Sequence, residues 1–166
     1  MGASVTVVSR TYAKAEYAKK IGCDRYLAMD DVESVAAAVN SLDVILDSVP
    51  TKHPIMKYHD LLDVKGCYVL LGLTEVGPID SVEMIFKGTS IVSSLIGGIA
   101  DTQELVDLCA AEKLFPEMEI IHPRYLPEIF LRLQRRTNTS AGIRYVMDTS
   151  NLPALLGTNF STLAKK

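Results

Sequence analysis

Four short strand-like runs, Val5-Thr6-Val7-Val8, Asp43-Val44-Ile45-Leu46-Asp47, Tyr68-Val69-Leu70-Leu71 and Thr89-Ser90-Ile91-Val92, recur along the chain with helical patterns between them. Three of them are unbroken or nearly unbroken apolar stretches, and strands of that kind are covered on both faces, as in a parallel sheet. The intervening segments supply the covers. Tyr12 to Ile21 places Tyr17, Ala18 and Ile21 on one helical face and stops at Gly22, and Val32 to Val39 is a short alanine-rich helix. Tyr26-Leu27-Ala28 is a minimal strand; His59 to Leu62 closes a further helix, followed by a turn at Val64-Lys65-Gly66. The pattern predicts a doubly wound α/β fold.

After Glu112 the pattern changes. Met118 to His122 and Ile143 to Asp148 alternate in polarity around a helix predicted from Pro127 to Arg136, and alternation implies a sheet with one wet face or an edge. These strands are expected to form a separate sheet. The tail from Asn151 shows no periodicity.

At 166 residues the chain has enough apolar content for a core. Its formal net charge of −3 and scattered basic residues disfavour a nucleic-acid partner. No apolar run approaches membrane-spanning length, and the first residues lack a secretory pattern. Cys23, Cys67 and Cys109 are far apart, so neither a disulfide framework nor a thiolate metal site is indicated, and a reduced, cytoplasmic setting is expected. His53, His59 and His122 have no helical ligand spacing and are expected to be ordinary polar or half-buried residues.

One stretch points to a ligand. In Ile91-Val92-Ser93-Ser94-Leu95-Ile96-Gly97-Gly98 a strand runs into paired glycines, and Asp101 with Glu104 resembles a capping box that would start the next helix. Ligands of open α/β sheets sit beyond the carboxyl ends of the strands, where glycines permit close backbone approach.

These residues resemble a family, the zinc-dependent medium-chain alcohol dehydrogenases, in their cinnamyl-alcohol-dehydrogenase-like, NADP-dependent branch. The resemblance is carried by GASVTVVSR from Gly2, KKIGCDRYL from Lys19, LDVILDSVP from Leu42, GCYVLLG from Gly66, IVSSLIGGIADTQELVDLCA from Ile91 and IRYVMD from Ile143. It implies a Rossmann-type doubly wound parallel sheet lacking its first strand, plus carboxyl-terminal segments of the GroES-like catalytic domain. On this basis residues 1–116 are a partial NADP-binding domain, 117–148 return to the catalytic domain, and 149–166 are a tail. No G-x-G-x-x-G turn is present, so Met1 is expected to be an internal methionine. Without that turn the chain alone should hold the cofactor pyrophosphate poorly.

The resemblance also assigns roles. In the parent, hydride would pass between NADPH and a primary alcohol or aldehyde at a zinc ion; the zinc ligands and base relay fall outside this chain, leaving it with no catalytic or metal-binding residue of its own. The second strand of such a domain normally ends in a carboxylate that repels the 2′-phosphate of NADP. Here it ends Val8-Ser9-Arg10-Thr11, and Ser9, Arg10 and Lys14 could donate to that phosphate. Resemblance places Ser48 and Val49 at the adenosine-side ribose or the phosphates, and Gly72 and Leu73 at the nicotinamide ribose. Ser94, Leu95 and Ile96 would meet the carboxamide, with Leu95 on the substrate side, and Arg144 would lie near the cofactor. A homodimer through the strand at Ile91-Ser94 is implied as well. Two alternatives stay open: a non-enzymatic Rossmann-like self-association module, and a fragment of a zinc-independent quinone or enoyl reductase.

The order 3-2-1-4-5-6 expected for such a sheet puts its first strand at the centre. The run at Val5-Val8 should therefore be separated from the strand at Val44-Asp47 unless another segment fills the place between them.

Overall fold

The computed structural model describes residues 2–134 and 144–150. The chain divides into two compact units, Met1–Gly98 and Ile99–Lys166.

The first unit begins with β1 (Thr6–Ser9), a 3-10 turn at Tyr12–Lys14, α1 (Ala15–Lys20) and β2 (Arg25–Ala28). The helix predicted as one piece from Tyr12 to Ile21 is thus split into a 3-10 turn and a shorter α-helix, because Thr11 caps the turn by accepting from the Ala13 amide. Gly22 at φ 98° ends the segment in a conformation that L side chains rarely adopt. Next come α2 (Val32–Ala38), β3 (Leu42–Asp47), α3 (Met56–His59), β4 (Leu62–Leu70), α4 (Ser81–Lys87) and β5 (Ser90–Ser93). The turn expected at Val64-Lys65-Gly66 lies inside β4: Leu42 faces Leu62 but Val44 faces Cys67, so β4 bulges there and Lys65 takes φ 64°. Helix α3 ends at His59, and Leu62 already belongs to β4.

All pairings in this unit are parallel. β1 pairs with β2, and β3-β4-β5 form a second sheet in that order. No pairing joins β1 to β3 among the described residues, which is the interruption expected of a 3-2-1-4-5-6 sheet without its central strand. The two sheets still share a core: Leu27, Met29, Ala38 and Leu61 form one buried cluster, and Val8 from β1 and Leu42 and Ile45 from β3 pack against it. A second cluster joins Leu62 and Tyr68 of β4 to Ile55 at the start of α3, with Ile45 and Tyr58 touching both. Burying each such side chain contributes about 1.5–3 kcal/mol. The open edges remain wet, with Val44 53% and Leu46 68% exposed on β3.

The second unit holds α5 (Ile99–Ala111), β6 (Met118–Ile121), a 3-10 turn at Pro123–Tyr125, α6 (Leu126–Gln134) and β7 (Arg144–Met147). β6 and β7 pair in parallel as a sheet of their own, as the alternation predicted. Two expectations need correction or restriction. Helix α5 starts at Ile99, directly after Gly97-Gly98, so Asp101 lies in the first turn, where its charge favours the positive helix end, and is not the cap. The predicted ends of α6 at Arg136 and of β7 at Ile143, and the tail from Asn151, lie outside the described residues.

The start of α2 can be tested through one carboxylate. Asp31 accepts from the Ser34 amide and hydroxyl and from the Tyr12 hydroxyl at 2.7 Å. These hydrogen bonds, the one from Tyr12 foremost, lower its pKa to about 2. A depressed carboxylate contributes stability above its unfolded value of 3.8 and loses it as pH falls toward 2. Tyr12→Phe should raise the Asp31 pKa toward 3.8, read by NMR titration of its carboxyl carbon; an unmoved midpoint would contradict the assignment.

Candidate cofactor site

Parallel strands aim their carboxyl ends at one edge, and in the first unit those ends are tied together. The carbonyl of Asp47, last residue of β3, accepts from the amides of Leu71 and Gly72 at 2.8 and 3.0 Å, and the Ser94 amide donates to the carbonyl of Leu70. The exits of β3, β4 and β5 therefore lie side by side. Beside this group the Tyr58 ring stands edge-on to His53 at 5.7 Å. His53 in turn contacts Asp47.

The centre of this edge is the Asp47 carboxylate, only 6% exposed. Its Oδ1 accepts from the Val49 amide at 3.0 Å. Its Oδ2 accepts from the Tyr68 hydroxyl at 3.0 Å and lies 2.9 Å from His53 Nε2. Burial, followed by the Asp47 charge, pushes the Tyr68 phenol far up, so Tyr68 stays a donor. Burial of a carboxylate is tolerated when its lone pairs are satisfied, as here. The β3 exit is also held from its other side: a Cβ on Gly72 would stand 2.3 Å from the Val49 carbonyl oxygen, so glycine is needed for the two exits to approach.

The residues expected to meet the cofactor fall mostly on this edge. Ser9 is half-buried at the end of β1, Arg10 follows it exposed, and Lys14 lies in the 3-10 turn. The backbone carbonyls of Ser9 and Arg10 accept from the amides of Met29 and Asp30, which fixes the backbone of this tip. Ser48, Val49, Gly72 and Leu73 lie at the β3 and β4 exits, and Ser94, Leu95 and Ile96 follow β5. Leu73, Leu95 and Ile96 are 77%, 70% and 84% exposed, an apolar fringe beside the polar exits. The Val49 amide is already bonded to Asp47, so of the Ser48-Val49 pair it is the Ser48 hydroxyl that is left to donate outward. Arg144 opens β7 in the second unit, apart from this edge as a described body.

Sequence reasoning passed over the residues beneath these: Asp47, His53, Tyr58 and Tyr68. The signal was a tyrosine and an aspartate inside apolar strands, since a buried phenol and a buried carboxylate at diagonal positions two residues apart in register, with Asp47 opposite Leu70 and Tyr68 opposite Ile45, need each other. His53 is half-buried as expected, whereas His59 is 1% exposed, fully buried because both ring nitrogens find partners, Glu83 at 3.1 Å and Thr89 at 2.7 Å.

His59, Asp60 and Glu83 are also the one group among the described residues whose ligand atoms could converge on a metal ion. The donor set does not suit a catalytic zinc. Both His59 nitrogens are committed, and the Lys87 ammonium sits 3.7 Å from Glu83 while donating to the carbonyls of Asp60 and Leu62. Burial, then the hydrogen bond with Glu83 and its charge, push the Asp60 carboxyl up. Burial alone would raise Glu83, but the hydrogen bonds from Asp60 and His59 outweigh it and hold that carboxyl low.

The sequence profile of a family described as zinc-binding dehydrogenase matches residues 1–111. An NADP-dependent alcohol dehydrogenase C 1 of Mycolicibacterium smegmatis is 35% identical over 153 residues, covering 92% of this chain and 43% of that protein. A probable cinnamyl alcohol dehydrogenase of Lolium perenne is 37% identical over 154 residues, covering 90% and 41%. Among solved structures, a cinnamyl alcohol dehydrogenase of Sorghum bicolor superposes with a TM-score of 0.79 at 25% identity, over 89% of this chain and 41% of that one. The corresponding enzyme of Helicobacter pylori, complexed with NADP(H), gives a TM-score of 0.71 at 28% identity, over 89% and 42%. The chain thus spans less than half the length of the relatives it matches.

The clamp on the β3 exit carries a stability prediction. Gly72→Ala should destabilise the fold by about 1–3 kcal/mol, the range for overpacking against a rigid neighbour, read as a lower urea midpoint. An unchanged midpoint would show that the Val49 carbonyl can move aside.

Proposed function

Since the chain belongs to the zinc-binding dehydrogenase family, we propose that it is the cofactor-binding part of an NADP-dependent alcohol dehydrogenase or aldehyde reductase. The observation that carries this reading is the tip of β1, where Ser9, Arg10 and Lys14 stand with no carboxylate on the strand end to oppose a 2′-phosphate. A phosphate there would gain charge-assisted hydrogen bonds from Arg10 and Lys14, the two-pronged guanidinium suiting its geometry.

In this reading Ser48 meets the adenosine-side ribose or phosphates, and Gly72 and Leu73 line the nicotinamide ribose. Ser94, Leu95 and Ile96 take the carboxamide end, and Arg144 is kept as a cofactor residue by resemblance alone. NADP, when bound, supplies the hydride; this chain's residues bind and orient it. A zinc ion would serve as Lewis acid in the whole enzyme, but the residues of this chain do not fit that role, and its ligands are assigned to the remainder of the protein. Residues 1–116 form the cofactor part, 117–148 return to a GroES-like catalytic domain, and 149–166 are a tail. The reacting pair is a primary alcohol and its aldehyde, the setting is cytoplasmic, and two copies pair through the strand at Ile91-Ser94. Two features support these last points: no helix among the described residues is long and apolar enough to cross a membrane, and β5 is paired only on its β4 side.

The binding half can be tested on the chain itself. Adenosine 2′,5′-bisphosphate should bind more tightly than adenosine 5′-monophosphate, and Arg10→Asp should remove about 1–3 kcal/mol of that advantage, the range of a charge-assisted hydrogen bond. Isothermal titration calorimetry reads it, and equal affinity for both nucleotides would refute the 2′-phosphate site.

A further inference from the structure

We propose that His53 is the positioning residue of the β3 exit, holding one proton jointly with Asp47 and thereby fixing the turn that presents Ser48 and Val49. The argument is a count of donors. His53 Nδ1 lies 2.7 Å from the Thr51 carbonyl oxygen, and Nε2 lies 2.9 Å from Asp47 Oδ2. A carbonyl only accepts, so Nδ1 carries a hydrogen. The contact between Nε2 and Oδ2 then needs a second proton, on the ring or on the carboxyl, because two lone pairs facing each other repel. Tyr68 donates into the same oxygen and cannot supply the missing hydrogen to the ring.

When that shared proton leaves, one contact must break. Either Nε2 turns from Asp47, or the one remaining ring proton moves from Nδ1 to Nε2 and the hydrogen bond to the Thr51 carbonyl is lost. The pocket is closed enough for this to matter, since the side chains of His53 and Asp47 are 13% and 4% exposed. The charged and titratable groups around the ring are few: Asp47 on β3, Tyr68 on β4, Tyr58 on α3 with Arg10 acting on it, and the Lys52–Glu75 ion pair at 3.2 Å beside the bridge from His53 to Val76. The Val49 amide bonds to the other oxygen of the same carboxylate, so a shift of Asp47 is felt directly at the turn.

Only the statement that this turn serves a cofactor rests on the reading given under Proposed function; the proton count does not. The test is a pH titration of the full chain by NMR, following the nitrogen-15 shifts of the His53 ring together with the Val49 amide. Both ring nitrogens should be protonated, or Nδ1 alone with a protonated Asp47, in the low-pH state. The Val49 resonance should move together with the His53 ring resonances, and its protection factor, the exchange rate corrected for intrinsic hydroxide catalysis, should fall by about fivefold to tenfold, the ratio for loss of one hydrogen bond. His53→Gln should abolish this response, and the wild-type titration decides the matter if that variant does not fold. A His53 ring that titrates while Val49 stays unmoved, or one that is neutral beside an ionised Asp47 with both contacts intact, overturns the proposal. Absence of nucleotide binding at any pH would count against the proposed function alone, because the NMR readout uses no nucleotide.

Discussion

The buried carboxylate of Asp47 organises the edge formed by the exits of β3 and β4. A charge taken out of water is costly unless each lone pair is engaged, and here the partners come from three directions: the amide of Val49, the phenol of Tyr68 and the ring of His53. The same residue's carbonyl bonds to Leu71 and Gly72. Side chain and backbone of one residue thus join two strand exits and the loop after one of them, and Gly72 can pack against Val49 only because nothing occupies its Cβ position. Ser48 and the neighbouring exits sit on this foundation, so the placement of exposed residues depends on a group that never reaches the surface.

The second governing constraint is the interruption between β1 and β3. A parallel strand satisfies its backbone by pairing along its edges, and β1 and β3 are each paired on one side. What holds them in one unit is side-chain packing: Val8 from one sheet and Ile45 from the other meet on Leu27, Met29, Ala38 and Leu61. Exposure follows from this, with apolar Val44 and Leu46 wet on the outer strand of a sheet whose pattern calls for cover on both faces.

The fold class was legible because parallel strands are written as apolar runs: Val44 to Leu46 and Tyr68 to Leu71 can be identified without any partner in view. The positions of Ser9 and of the SLIGG stretch at strand ends were legible too, because each lies in a contiguous run that closes a strand. The buried half was not, because Asp47, His53 and Tyr68 are joined by register and by a loop, and no local pattern encodes which oxygen a phenol will reach. The same limit explains the split first helix and the start of α5 at Ile99: caps are decided by which side chain turns back to the backbone, and Thr11 did so where the apolar spacing suggested continuity.

These two constraints act on each other. The β3 strand bears the open edge along Val44 and Leu46 and the clamp at its end in Asp47, so any segment that paired with β3 would order the strand whose last residue holds the turn. The other open strand, β1, ends at Ser9, and its Val8 packs on the cluster that Tyr58 also touches, while the Tyr58 ring stands against His53. A segment that paired with either edge would therefore order the strand ends at Ser9 and Asp47 together, through the packing the two strands share.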